Sequence, residues 1–202
     1  MVGTANDLGA FEGTTVGVIP NHVPVAIPQS FNMVSGTTIP ITLTGTDADG
    51  DALTFTIIGG PFHGTLSGSG ANRYYTQSGT SNETDIFAFT VSDGKAVSAA
   101  GFVYIGYNAL GVTAPTVTLT GPVNNLVTTS PASITLSATA SDPVGITQVE
   151  FWVGTSRVGI ATGAPYTFIR KNVAPGVYNI IAKAYNSTNA RAFSSPVLVT
   201  VK

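Results

Sequence analysis

"ITLTGTDADG" at residues 41–50 and "ITLSATASDPVG" at residues 134–145 are two versions of one segment, set 93 residues apart. Each follows an extended apolar stretch, "VPVAIPQSF" at 23–31 and "APTVTLTGP" at 114–122. Each half closes on a long alternating stretch, "AVSAAGFVYIGY" at 96–107 and "SSPVLVTVK" at 194–202. Between the halves, "NALGVTAP" at 108–115 reads as a short Gly/Pro-bearing linker. A chain of 202 residues has room for two domains of about 100 residues each.

Inside each half, apolar residues alternate with polar ones over short runs, and turn residues separate the runs every 8–12 residues or so. Ile41 and Leu43 share a face, as do Leu53, Phe55 and Ile57, and Phe87, Phe89 and Val91. The second half repeats this with Ile134 and Leu136, then Val149, Phe151 and Val153, then Val177 and the run through Ile181. The connecting pieces "GSG", "SDG", "SDPVG" and "APG" are turn chemistry. About seven strands in about 90 residues is the pattern of an immunoglobulin-like sandwich. The fold class expected is all-β: two tandem immunoglobulin-like β-sandwiches at 22–110 and 111–202, with an extended N-terminal arm at 1–21.

Composition narrows the function classes. Charged residues make up 9% of the chain, against about 25% in an average soluble protein, so Thr, Ser, Asn and Gly must build the surface. No stretch of about 18 apolar residues is present, so no membrane insertion by a helix is expected. With no cysteine, disulfides, thiolate metal sites and cysteine nucleophiles are excluded. A net charge of −2 and dispersed basic residues argue against nucleic acid as a partner. "MVGTANDLGAFEGTTVGVIP" has neither a basic n-region nor an apolar h-region, so no signal peptide is expected in it. Residues 21–110 carry six acids and two bases, whereas 111–202 carry two acids and six bases, so the halves have opposite sign.

Two resemblances follow from these residues. Residues 22–107, with "HVPVAIPQSF", "TDADGDALTFTIIGGPFHGTLSG" and "DIFAFTVSDGKAVS", resemble the cadherin-like bacterial Ig repeats of large surface adhesins. Residues 114–202, with "ITLSATASDPVGITQVEFWVG", "APYTF" and "GVYNIIAKAYN", resemble a second bacterial Ig family that accompanies secreted polysaccharide-degrading enzymes. Both imply a fold more than a function, because such domains serve as spacers, adhesive modules and virion appendages.

Asp47, Asp49 and Asp51 occupy alternate positions where one strand ends and the next begins. Asp93, in "VSDGK", belongs to a loop at the same end of an Ig sandwich. Two readings stand: the four side chains accept backbone hydrogen bonds in tight turns, or they supply oxygens to Ca²⁺, which takes six to eight. The cadherin-like resemblance adds to the calcium reading. The equivalent loop of the second half, "ASDPVG", retains Asp142 alone, so calcium as a cofactor is confined to the first half. His22 and His63 flank strands without a nucleophile beside them and read as turn or inter-module residues. No catalytic residue is expected: "GxSxG", "HExxH", phosphate-loop and dinucleotide patterns are all missing.

Trp152 alternates with the inward Phe151 and therefore points outward, toward a partner subunit or a sugar. Three non-catalytic roles fit these residues. The one expected is a virion surface component, a capsid decoration or fibre protein of a tailed phage. In that role the arm, with Phe11, Val18 and Ile19, lies on a neighbouring capsid subunit or on a second copy. The second is an adhesin or accessory spacer segment at the bacterial cell surface or outside the cell. The third is a carbohydrate-binding module that uses Trp152 on surface glycans.

Overall fold

The computed structural model describes residues 20–78, 84–109 and 111–202; the arm residues Phe11, Val18 and Ile19 lie outside them. Every regular element among the described residues is a β-strand. The first half carries β1 (Val25–Ile27), β2 (Gln29–Val34), β3 (Thr38–Thr42), β4 (Thr44–Thr46), β5 (Thr54–Gly59), β6 (Gly64–Ser69), β7 (Asn72–Gln77), β8 (Asp85–Ser92) and β9 (Gly101–Asn108). The second carries β10 (Thr116–Gly121), β11 (Leu126–Thr128), β12 (Ala132–Ser141), β13 (Ile146–Val153), β14 (Ser156–Ala161), β15 (Tyr166–Val173), β16 (Gly176–Asn186), β17 (Arg191–Phe193) and β18 (Val197–Val201).

Each half is a two-layer sandwich. In the first, β2-β9-β8-β5 faces β3-β7-β6, and β1 pairs with β4. In the second, β11-β18-β16-β13-β14 faces β10-β12-β15, and β17 adds onto β16. The leading strand of each half changes sheet: β1 gives way to β2, which runs parallel to β9, and β10 gives way to β11, which runs parallel to β18. Pro28 and Pro122 stand at the two crossings, where a missing N–H ends one ladder before the next begins.

The two-residue period is realised in the cores. Phe87, Phe89 and Val91 on β8 are buried with Ile41, Leu43 and Tyr75, and Leu53, Phe55 and Ile57 pack at the margin of that core. Ile134, Leu136, Val149 and Phe151 are buried in the second core, with Val153 against it. Val177 and Ile181 depart from the expectation. On β16 it is Ile180, Ala182 and Ala184 that enter the core, while Val177 is exposed and Ile181 is fully buried outside it. The reason is that β16 and β9 are covered on both faces: six successive residues of β9, Val103–Asn108, are buried. A strand buried on both sides reads as a continuous apolar run, which hides its parity.

Candidate functional site

Two places concentrate side chains that are not spent on the cores. The first is the loop end of the N-terminal sandwich. Asp47 Oδ1 accepts the backbone N–H of Asp49 at 3.0 Å and of Asp51 at 3.1 Å, and Gly50 supplies the left-handed residue (φ +77°) that closes the turn. The neighbouring loop is made the same way, with Asp93 Oδ1 accepting the N–H groups of Lys95 and Ala96 at 2.7 and 2.6 Å. Side chains then tie loops and entering chain together. The His22 N–H donates to Asp49 Oδ2 at 2.7 Å, and its ring Nδ1 lies 2.8 Å from Asp49 Oδ1. Asn21 Nδ2 donates to Asp93 Oδ2 at 2.8 Å, and Lys95 Nζ to Asp51 Oδ2 at 2.7 Å.

These contacts set the charge states. The Asn21 amide, followed by the Ala96 N–H, holds the Asp93 carboxyl down at about 2. The His22 backbone N–H and ring lower Asp49, Asp49 raises His22, and Asp51 raises Lys95. Asp47, Asp49 and Asp51 each bring a carboxylate oxygen within 4.8 Å of the others, close enough to share a hard cation. Asp93 stays outside that group and is tied to it through Lys95 and through Asn21 and His22. Asp49 and Asp51 already face a histidine and a lysine, whereas Asp47 Oδ2 is buried without a hydrogen-bond partner.

The second place is a joint between the sandwiches. The chain folds back at the linker, so the outer face of β9 lies along the outer faces of β16 and β13. Tyr104, Ile181 and Phe193 are buried there, with Ile86, Phe102 and Trp152 against them. The Tyr104 and Phe193 rings are 5.7 Å apart and tilted by 52°. Trp152, read as outward-facing from its parity, does point away from its own core and packs against the cluster that Tyr104 of the other sandwich forms with Ile181 and Phe193.

Backbone and amide contacts fix the register of the joint. Asn108 clamps Arg191 twice, donating from Nδ2 to its carbonyl at 2.9 Å and accepting its N–H at Oδ1 at 3.0 Å. Asn32 Oδ1 accepts the Phe193 N–H at 3.2 Å, and Ser30 Oγ donates to the Ser194 carbonyl at 2.8 Å. At the far end Asn179 Nδ2 donates to the Ala100 carbonyl at 3.1 Å. Gly106 permits this approach: a Cβ there would lie 2.7 Å from Asn32 Oδ1. On the other side, Asn186 Oδ1 accepts the N–H groups of Thr188 and Ala190, and Asn189 turns the chain at φ +62°. That turn returns β17 beside β16 and presents Arg191 and Phe193 to the N-terminal sandwich.

Sequence reasoning passed over several of these residues. Asn32 and Asn108 gave no signal, because isolated amides in strands have many uses. Buried Asp85, which accepts the Phe62 and His63 N–H groups at 2.7 and 2.9 Å and the Tyr75 hydroxyl at 2.6 Å, entered the sequence reading only as one of the acids of the first half. Glu150 was legible in principle: in "QVEFWV" it shares the outward parity of Trp152 and sits between apolar residues.

Known proteins align with both halves. The family described as bacterial Ig domain matches through one profile at residues 21–106 and through a second, different one at 115–182. Chitinase A of Pseudoalteromonas piscicida is 28% identical over 145 residues, which is 70% of this chain and 17% of that enzyme. Sphingomyelinase of Mycobacterium tuberculosis is 33% identical over 108 residues, 49% of this chain and 22% of the enzyme. The chain thus spans less than a quarter of the length of these relatives. Among solved structures, the fibronectin(III)-like modules of Clostridium thermocellum CbhA are 33% identical, covering 43% of this chain and 96% of that one with a TM-score of 0.42. The tandem Ig repeats of Dlar are 10% identical over 90% of this chain and 98% of that one, with a TM-score of 0.39. The chain is a tandem of two bacterial Ig domains.

Proposed function

We propose that the protein is a non-catalytic interaction module whose two sandwiches act as one rigid body, setting a fixed geometry between the surfaces or segments it connects. The observation that carries this is the joint: Tyr104, Ile181 and Phe193 are withdrawn from water between the domains, and amide clamps fix their register. Tandem domains joined only by a linker move relative to one another by default, and an apolar, hydrogen-bonded interface removes that freedom. The loop-end carboxylates support a structural role, since Asp47 and Asp93 each hold two backbone N–H groups. The matches to parts of a chitinase and a sphingomyelinase are in keeping with an accessory role beside other domains. The virion setting expected from the sequence is not needed for this reading.

Small-angle scattering on residues 20–202 tests it. A compact body of this size has a radius of gyration of about 16 Å. A value near that, unchanged as salt is raised, is expected. A markedly larger value with a scattering curve that requires an ensemble of domain arrangements would remove the rigid-body reading.

A further inference from the structure

Where the apolar part of the joint ends, a cleft of about 410 Å³ opens between the sandwiches. Phe62 forms one lip from the N-terminal domain, and Glu150, Trp152, Arg157, Tyr185 and Arg191 line it from the C-terminal one. This volume falls in the range of about 300–1,000 Å³ typical of small-molecule sites, and domain interfaces are a preferred place for them.

Glu150 organises the wall. Its carboxylate accepts from Arg157 Nη1 at 2.8 Å, Trp152 Nε1 at 3.0 Å, the Tyr185 hydroxyl at 3.2 Å and Gln148 Nε2 at 3.4 Å. The Glu150 side chain is only 4% exposed. Burying a carboxylate costs several kcal/mol, and apolar residues commonly do as well in a purely structural role. The joint beside it is already apolar, so docking does not require this group. Its effect is to hold an indole, a phenol and a guanidinium in fixed orientations on a solvent-facing wall, the pre-organisation that binding sites need.

Two further features show what such a site takes. The Arg191 guanidinium lies 5.6 Å over the Tyr185 ring, and its Nε is buried without a hydrogen-bond partner. A buried donor left unpaired is unfavourable, and a shift of the guanidinium toward a ligand oxygen would relieve it. Of the arginines in the lining, Arg157 is paired with Glu150, whereas Arg191 has no carboxylate partner among the described residues. Phe62 is 76% exposed on the opposite lip, an aromatic face presented to water.

We propose that this cleft binds an acidic saccharide, a sugar bearing a carboxylate or sulfate. The acidic group pairs with Arg191, ring C–H faces lie against Phe62 and Trp152, and hydroxyls reach Arg157 and the Tyr185 hydroxyl. An anion without a ring would leave the aromatic lips unused, and a neutral sugar would leave the Arg191 charge without a counter-charge. The site rests on the docked arrangement, since Phe62, Thr84 and Ile86 come from one domain and the rest of the lining from the other.

Trp152 is the single tryptophan, so its fluorescence reports on the cleft directly. The full chain is titrated with a galacturonate trisaccharide, a neutral glucose trisaccharide and a tetraglutamate peptide. A saturable fluorescence change with the galacturonate, at least tenfold tighter than with either control, is expected. Arg191→Gln should weaken that binding by about 10–100-fold, the loss of a charge-assisted hydrogen bond. Phe62→Ala, which removes an exposed ring outside the joint, should weaken all sugar binding several-fold without altering scattering or melting. If scattering shows that Arg191→Gln has opened the joint, Phe62→Ala decides the matter alone. No saturation with the galacturonate, equal affinity for the peptide or neutral sugar, or unchanged affinity in Phe62→Ala would overturn the assignment.

Discussion

Phe193→Ala should uncouple the two sandwiches. Phe193 is buried at 7% exposure in the joint, against Tyr104 and Ile181. Truncating a packed phenylalanine costs about 3–5 kcal/mol where the surroundings cannot collapse. Here the structure has an alternative that a core lacks: the joint can open, so the measured loss is capped by the free energy that couples the domains. Calorimetry separates these outcomes. The wild-type chain should melt in one transition whose calorimetric and van't Hoff enthalpies agree. Phe193→Ala should give two transitions, the less stable lying about 4–8 °C below the original, from a coupling of about 2 kcal/mol at about 2–4 °C per kcal/mol for a body of this size. A double-mutant cycle with Tyr104→Ala should return a coupling of about 0.5–1.5 kcal/mol for the ring pair. Two independent transitions in the wild type, or additivity of the two substitutions, would refute the claim that the joint makes one body.

Other substitutions address separate parts of the structure. Gly159→Ala places a Cβ 2.3 Å from the Phe168 ring and should cost about 1–3 kcal/mol by overpacking, measured by urea denaturation. The His22–Asp49 contact should depend on pH in a defined window. The His22 share is complete below its ordinary 6.5 and lost as pH rises through its raised folded value, and the Asp49 share is complete above its ordinary 3.8 and lost as pH falls through its lowered one. The tether is therefore strongest between about 3.8 and 6.5, and Asp49→Asn should return the His22 titration, followed by NMR, toward 6.5. Asp47→Ala removes the acceptor of two turn N–H groups and should cost about 1–2 kcal/mol. An equal loss with calcium and with a chelator is expected for a turn-former; a loss confined to calcium-containing buffer would assign the carboxylates to a metal.

The legibility of this protein follows from which faces its strands bury. β8, "DIFAFTVS", buries one face of Phe87, Phe89 and Val91 fully and the other partly, so its alternation states its orientation outright. The same holds for β12, where Ile134 and Leu136 alternate with exposed residues. The joint was hidden because β9 and β16 bury both faces, and a continuous run such as "NIIAKAYN" does not reveal which residues serve a second interface. Trp152 gave half of the answer, since parity turned it outward but could not show what it would meet. Nothing in the sequence pairs Asn108 with Arg191, because that contact depends on how the linker folds back. The acidic loops were clearer: "DADGD" and "SDG" signal Asp-centred turns, and the structure has both.

The joint's stability follows from how little the linker leaves to chance. β9 ends at Asn108 and β10 begins at Thr116, so residues 109–115 alone separate the domains. Such a short connection keeps the two faces at an effective concentration of about millimolar or higher, where roughly 4 kcal/mol of intrinsic affinity already leaves them half docked. Tyr104, Ile181 and Phe193, each withdrawn from water, contribute on the order of 2 kcal/mol apiece before the ordering cost. The apolar part of the joint therefore exceeds the requirement by a margin of one such side chain, enough for docking to dominate and small enough for Phe193→Ala to erase it. The amide clamps need not supply that margin. Exchanging water for Asn32 and Asn108 changes the free energy little, but a face docked out of register would leave the Arg191 and Phe193 N–H groups buried and unpaired. Apolar burial determines that the sandwiches meet, and the asparagines determine where.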